Sequence, residues 1–226
     1  MKKDASHYEV VEPLPSYGRG IELPGGRYRS LINGYMLDDV VITGDNGTID
    51  GQGSSMCMFR KFQSTLHQNH LTLLALYQNC SISTSYDAIA LESGWDEYGI
   101  AYGRPTTSIH IKQVHLQASS GSALAFGNEM SGGISDVLVE HLYLSNSFHG
   151  VEFRTTKGRG EHIKEILIVS DIEMKNVHTA FGATGESGSH PDEDFDPNAL
   201  PILNQITLKN VIGTNITVAG NFTALR

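Results

Sequence analysis

The sequence predicts an all-β protein, a right-handed parallel β-helix (a solenoid) built from stacked coils of about 28 residues. Two observations predict it: an apolar pattern that returns at a nearly fixed interval, and a further short apolar strand that accompanies each copy. The pattern apolar-x-apolar-x-x-apolar-x-apolar occupies Ile109–Leu116 and returns at Val137–Leu144, Leu167–Met174 and, in part, Ile206–Val211. The steps between the copies are 28, 30 and 39 residues. One such unit cannot bury its apolar face alone, so neighbouring units must stack.

Each copy of the pattern contains two short strands. Alternate side chains of each strand face one side, and the offset between the two halves indicates a bend. The accompanying strands lie at Ala88–Leu91, Ala123–Phe126, Gly150–Phe153 and Thr179–Phe181. Three short strands with bends between them describe one coil of a parallel β-helix. The alternative, an antiparallel β-sandwich, is disfavoured because hairpin dipeptides are scarce between these strands.

Stacking places equivalent positions of successive coils about 4.8 Å apart. The strand alignment predicts one column of Asp87, Ser122, His149 and His178, and another of Glu92, Gly127 and Arg154. Polar side chains that are distant in the sequence thereby converge on one lateral surface, which suits an extended polymer. Arg154 also opens a basic segment that continues with Lys157, Arg159, His162 and Lys164. This segment is either a carboxylate-binding patch or an ordinary solvated loop.

Length and charge limit the classes of function. The chain has 226 residues, enough for a single domain, and a net charge of −9. This charge argues against nucleic acid as a partner, because nucleic-acid binding depends on Lys and Arg that neutralise phosphates. No apolar run is long enough to cross a bilayer, and the first residues lack the apolar region of a signal peptide. No metal-ligand spacing surrounds Cys57 or Cys80, whose pairing stays open. We expect a monomer without metal, cofactor or membrane partner.

Three further features have more than one interpretation. The acidic segment Asp192–Asp196 resembles the start of a calcium loop but lacks the Gly and the distal Glu, so we interpret it as a solvated loop. Trp95, which precedes two carboxylates, either stacks on a sugar or packs a loop onto the coil. Asn-x-Ser/Thr sequons favour a secreted, glycosylated protein, and they occur at Asn46, Asn79, Asn215 and Asn221.

Five segments are similar to the motifs of one known family. They lie at Leu14–Gly34, Thr43–Gly53, Ser93–Pro105, Gly127–Gly133 and Thr155–Gly160, and the third is the most specific. They resemble the plant-type polygalacturonases of glycoside hydrolase family 28, over nearly the whole chain except about residues 55–77. The resemblance implies a secreted, cell-wall β-helix that hydrolyses the α-1,4-galacturonan of pectin by inversion, without a cofactor.

The resemblance assigns catalysis to Asp87, which is similar to a water-activating carboxylate of an inverting glycosidase. Tyr86 stands where the family has its proton-donating Asp, and a phenol is a poor acid for a glycosidic oxygen. The family's Asn-Thr-Asp motif is absent, because the chain is too short before Cys80. We therefore predict an N-terminal coil region over residues 1–54, an irregular junction with missing coils over 55–77, and stacked coils over 78–226.

The resemblance also predicts a substrate-binding set. Glu152 and Arg154 stand at the Arg and Lys positions of the family's Arg-Ile-Lys motif, and Ser122 stands at its motif histidine. We expect Arg154 and Lys157 to bind galacturonate carboxylates, with Glu152, Ser122 and Tyr86 in the same site. Three functions stay open: a polygalacturonase-like hydrolase with impaired or absent turnover, a non-catalytic pectin-binding module, and an inactive truncated gene product.

Overall fold

The structure is a computed structural model, and it describes residues 10–11, 27–28, 41–50, 65–66 and 75–224. A short antiparallel ladder pairs β1 (Val10–Val11) with β2 (Arg27–Tyr28). Every other strand pair of the described residues is parallel. The remaining elements are β3 (Val41–Asp50), β4 (Thr65–Leu66), β5 (Ala75–Thr84), β6 (Ile89–Leu91), α1 (Asp96–Tyr102), β7 (Ile109–Ala118), β8 (Ser122–Phe126), β9 (Ile134–Arg154), β10 (His162–Ile168), β11 (Ile172–Thr184), β12 (Ile202–Leu208) and β13 (Val211–Thr223).

Successive coils lie directly on one another. β3 pairs with β5, β5 with β7, and β7 with β9. β9 then pairs with β10 and β11, which pair in turn with β12 and β13. A further face contains β4, β6, β8 and the C-terminal part of β9 in the same order. This stacking confirms the predicted right-handed parallel β-helix.

Single residues in the left-handed conformation form the bends of the coils. Gln113 and His141 occupy one bend, with φ values of 54° and 52°. A second bend contains three asparagines, which adopt this conformation more readily than most non-glycine residues. Their amides form a ladder: Asn176 donates to Asn146 Oδ1 at 3.1 Å, and Asn215 donates to Asn176 Oδ1 at 2.9 Å. This asparagine ladder ties one corner of three successive coils together.

The core consists of apolar columns inside the coils. Ile109 pairs with Val137 in the next coil, and both side chains are buried. Phe126 and Phe153 stack on each other with ring centroids 4.7 Å apart. Burial of one such side chain stabilises the fold by about 1.5–3 kcal/mol. The repeated apolar pattern of the sequence is therefore the inward face of the helix.

The third copy of the repeat differs from the predicted alignment by one residue. The apolar pattern aligns Leu167 with Val137, whereas the strand ladder pairs Ile166 with Val137. Leu167 is 45% exposed, and Ile166 is fully buried. The additional residue is accommodated at the following bend, where Ser170 and Asp171 both have a positive φ. The alignment predicted for Leu167 is wrong.

β3 lies directly against β5, so the N-terminal coil region docks on the strand that contains Cys80. Gly47 pairs with Cys80 after an irregularity in β3. β4 pairs with β6, which places Thr65–Leu66 in the same stack. Cys57 and most of the predicted junction lie outside the described residues. Cys80 is a free, buried thiol, and its burial raises its pKa.

Candidate active site

Asp87 and Arg154 form a buried ion pair at the lateral surface of the stack. Arg154 Nη2 donates a hydrogen bond to Asp87 Oδ2 at 2.5 Å. The backbone N–H of Ser122 donates to the other carboxylate oxygen, Oδ1, at 2.8 Å. The Asp87 side chain is only 1% exposed. Both carboxylate oxygens are thus bonded to protein donors, and water has almost no access to them.

The coil geometry brings these groups together from three strands. Asp87 precedes β6, Ser122 begins β8, and Arg154 ends β9. Gly121 allows close contact between the coil that contains Asp87 and the coil that contains Ser122. A Cβ at Gly121 would lie 2.5 Å from the carbonyl carbon of Tyr86 and 2.7 Å from the nitrogen of Asp87. A side chain at this position would push the Asp87 carboxylate away from the Ser122 N–H.

Glu152 supplies a second carboxylate beside the ion pair. Its Oε2 accepts a hydrogen bond from Ser122 Oγ at 2.5 Å and lies 3.4 Å from His149 Nδ1. Arg154 Nε lies 3.9 Å from the same oxygen. The guanidinium of Arg154 is therefore shared between the carboxylates of Asp87 and Glu152. We call Asp87, Ser122, Glu152 and Arg154 the ion-pair cluster.

The charge balance of the ion-pair cluster is negative. Burial by itself lowers the pKa of Arg154, but the carboxylates of Asp87, Glu152 and Glu92 outweigh this effect, and the pKa is raised. One guanidinium thus interacts with three carboxylates. Because opposite charges at this distance neutralise each other strongly in a buried site, an anionic ligand would find Arg154 already compensated.

The ion-pair cluster contains four of the six predicted site residues, and the other two lie apart from it. The Tyr86 side chain is 54% exposed, and Lys157 is exposed in the segment after β9. In the described part of the chain, neither side chain forms a hydrogen bond or ion pair with the cluster. The predicted column also changes by one residue, because Thr179 and not His178 pairs with His149.

The basic segment does not act as one patch. Arg159 is fully buried, its guanidinium pairs with the buried Asp96, and it lies 4.4 Å from the centre of the Trp95 ring. His190 Nδ1 lies 2.8 Å from the other oxygen of Asp96. Trp95 is 3% exposed, so it packs α1 onto the coil and has no free face for a sugar. No sequence motif indicates these contacts of Asp96, because its partners Arg159 and His190 are 63 and 94 residues away in the chain.

The acidic segment Asp192–Asp196 forms a hydrogen-bonded turn. Asp192 accepts hydrogen bonds from the Tyr98 hydroxyl at 2.6 Å and from the backbone N–H of Asp194 at 3.0 Å. Among the described residues, no group of three or more His, Cys, Asp or Glu side chains has the geometry to hold a metal ion. No helix in the same residues is long and apolar enough to cross a membrane.

The stack and the ion-pair cluster define a parallel β-helix protein with a carboxylate–guanidinium site on its lateral surface. The chain is 34% identical over 273 residues to a probable polygalacturonase of Vitis vinifera. The match covers 96% of this chain and 55% of the relative. The chain is thus a relative of the polygalacturonases, as its motifs predict, and it spans little more than half of the curated protein that it matches.

One solved structure, a hyperthermoactive exopolygalacturonase from Thermotoga maritima, is also similar. It matches 79% of this chain and 47% of its own chain, with 15% identity and a TM-score of 0.40. No family model matches the chain. The parallel strand pairing itself, rather than this similarity, establishes the β-helix.

Proposed function

We propose that the chain binds the α-1,4-galacturonan of pectin on the surface that carries the ion-pair cluster, and that its inverting hydrolysis of this polymer is impaired or absent. One observation carries the proposal: Asp87 is buried and bonded through both oxygens. An inverting glycosidase needs a general acid and a base with a water molecule between base and sugar. A buried Asp87 offers no such place for water.

The general acid is the second deficit. Tyr86 occupies the position of the proton donor, and its phenol is too weak an acid to protonate a glycosidic oxygen efficiently. Glu152 is the other carboxyl group of the ion-pair cluster, but it accepts a hydrogen bond from the Ser122 hydroxyl and lies within reach of His149 and Arg154. These contacts favour its role as a charge partner within the cluster over a role as an acid.

The comparison supports the proposal that interior coils are missing. The match with the relative extends over 273 residues, whereas 96% of 226 residues is about 217, which leaves about 56 positions without a counterpart here. This deficit corresponds to about two coils. Because β3 docks directly on β5, we propose that these coils, with a further water-activating Asp, are absent before Ala75.

Binding without turnover is supported by an accessible cation close to the cluster in the sequence. Lys157 is exposed and follows Arg154 by three residues. The chain as a whole carries a charge of −9, so we expect binding of a polyanion to be weak and to decrease with salt. Measurable binding separates a pectin-binding module from an inactive truncated product.

A paired assay of release and binding tests the proposal. Reducing ends released from polygalacturonate are measured between about pH 4 and 7, with Asp87→Asn as the background. We expect no release above that background, and weak binding to polygalacturonate in affinity electrophoresis at low salt. Lys157→Gln should weaken the binding, whereas Lys209→Gln, at an exposed position after β12, should not. Tyr86→Asp tests whether a restored carboxylic acid recovers turnover.

Either of two results would reject the proposal. Hydrolysis that Asp87→Asn abolishes would show an intact enzyme in spite of the buried carboxylate. An absence of both hydrolysis and binding would leave the inactive product as the remaining explanation.

We also propose secretion to the cell wall as a glycosylated monomer. The sequons at Asn79 and Asn221 lie at exposed positions, as this modification requires, whereas the Asn215 amide nitrogen donates to Asn176. Enzymatic deglycosylation of the protein from its natural source should lower its mass, and an unchanged mass would contradict the modification. Sedimentation of the same sample tests the monomer.

A further inference from the structure

A shallow groove of about 310 Å³ follows the asparagine ladder beside the ion-pair cluster. Its lining includes Ser119, Asn146, Phe148, Asn176, His178 and Thr217. The groove adjoins the cluster, because Phe148 packs edge-to-face against His149 with ring centroids 4.8 Å apart. His149 in turn lies 3.4 Å from Glu152. A polymer that runs along the coil axis past the cluster would therefore also meet this groove.

Phe148 provides an aromatic surface inside the groove. It is 44% exposed, and one face stacks on His178 with centroids 4.8 Å apart and planes 7° from parallel. The other face is directed toward the preceding coil. Ser122 pairs with His149, so the register position opposite Phe148 in that coil is Gly121. With 44% of its surface exposed, Phe148 offers an aromatic face on which a sugar ring can stack.

The asparagine ladder provides polar groups along the same groove. Its amides all donate in one direction, from Asn215 to Asn176 to Asn146. Among the described residues, the Asn146 amide nitrogen and the Asn215 side-chain oxygen at the two ends have no hydrogen-bond partner. Hydrogen bonds in such a chain strengthen one another, which makes the free ends better donors and acceptors. Sugar hydroxyls can bond to both kinds of group.

The groove lining contains no Asp, Glu, Lys or Arg side chain. A galacturonate carboxylate placed there would find no Lys or Arg side chain to compensate it, next to a cluster whose own charge balance is negative. We propose that the groove binds uncharged sugar units, in particular methyl-esterified galacturonate, and aligns the polymer beside the ion-pair cluster. This inference rests on the proposed function, because it places neutral units next to a galacturonan-binding surface.

Affinity electrophoresis in three polymers tests the groove. The polymers are highly methyl-esterified pectin, polygalacturonate and an uncharged galactan, which separates an esterified galacturonan from a neutral glycan as the source of the units. We expect Phe148→Ala and His178→Ala to weaken binding to the esterified pectin about tenfold, because each removes an aromatic surface. Leu167→Ala, a change at a similarly exposed apolar residue on another face, should leave binding unchanged.

A second variant adds a charge without removing the aromatic surface. Ser119→Lys places an ammonium group in the groove, so it should strengthen binding to polygalacturonate relative to the esterified polymer. Far-UV circular dichroism confirms that each variant is folded. Binding to the galactan as well would support the groove as a site for neutral glycans in general.

The outcomes separate the groove from the proposed function. Polygalacturonate binding that Lys157→Gln weakens, with no binding of the esterified pectin or the galactan, would overturn the groove and leave the proposed function intact. Binding of the galactan alone, sensitive to Phe148→Ala, would support the groove and reject the proposed galacturonan binding. Equal effects of Phe148→Ala and Leu167→Ala would also overturn the groove.

Discussion

Replacement of Arg154 by Gln tests whether this guanidinium is a structural partner of Asp87 or a free clamp for a ligand carboxylate. The variant leaves the buried Asp87 carboxylate with one protein donor, the Ser122 N–H. Removal of one partner of a buried ion pair costs about 3–5 kcal/mol, because the remaining charge loses its compensation. Arg154 also donates to the Gly127 carbonyl at 3.2 Å, and this bond is lost as well. We therefore expect a decrease of about 3–5 kcal/mol in the free energy of unfolding.

Asp87→Asn and the double variant complete a thermodynamic cycle. Without either charge, the double variant should recover part of the loss, with a coupling energy of about 0.5–3 kcal/mol. Urea unfolding is followed by circular dichroism and by the fluorescence of Trp95, which is buried. Coincident curves from the two probes would justify a two-state treatment.

One pattern of results would show that Arg154 is not the structural partner of Asp87. A stability loss below about 1 kcal/mol, together with a tenfold loss of polygalacturonate binding, would show that Arg154 is a free clamp. The ion pair with Asp87 would then contribute no more than an exposed surface pair.

Three further predictions follow from the core and the bends. Gly121→Ala should destabilise the fold by about 1–3 kcal/mol in urea unfolding, because its Cβ meets the backbone of the preceding coil at 2.5 Å. Gly182→Ala is the matched control, since its Cβ first meets a flexible side chain at 3.3 Å, and an equal loss in both would contradict this account. Ile166→Ala should cost about 2–5 kcal/mol and Leu167→Ala less than about 1 kcal/mol, and the reverse order would restore the alignment predicted from the sequence. Burial lowers the pKa of His115 below its ordinary value of 6.5, so the unfolded chain binds the proton more readily and stability decreases as pH falls below about 6.5. His115→Gln should flatten this part of the pH profile of the urea midpoint, and an unchanged profile would exclude His115 as its source.

The sequence predicts the stacked coils because the inward face needs an apolar residue at every second position. The pattern becomes ambiguous where four apolar residues follow one another, as in residues 166–169. Either Ile166 or Leu167 could then begin the inward-facing set of alternate residues. Only the contacts with the next coil select Ile166 over Leu167. The displacement of His178 has a separate cause: Ala180 and Phe181 are both apolar, and the ladder pairs Phe181 rather than Ala180 with Val151.

The ion-pair cluster was only partly predictable. Strand alignment correctly placed Ser122 and His149 in adjacent coils, since backbone register follows from the repeat. It placed Asp87 and Arg154 in different columns, because alignment treats each residue as a point on the backbone. A long arginine side chain crosses between columns, and the contact joins residues 67 positions apart. Side-chain reach, rather than register, decided the chemistry of this site.

The single-residue bends have a consequence for how such a chain changes its length. One residue added inside a strand would exchange the inward and outward faces of everything after it in that strand. A residue added at a corner leaves the parity of both neighbouring strands intact, as the paired left-handed residues Ser170 and Asp171 show. Insertions and deletions are thereby confined to corners and loops. The gain or loss of a whole coil likewise leaves the inward and outward faces of the remaining strands unchanged.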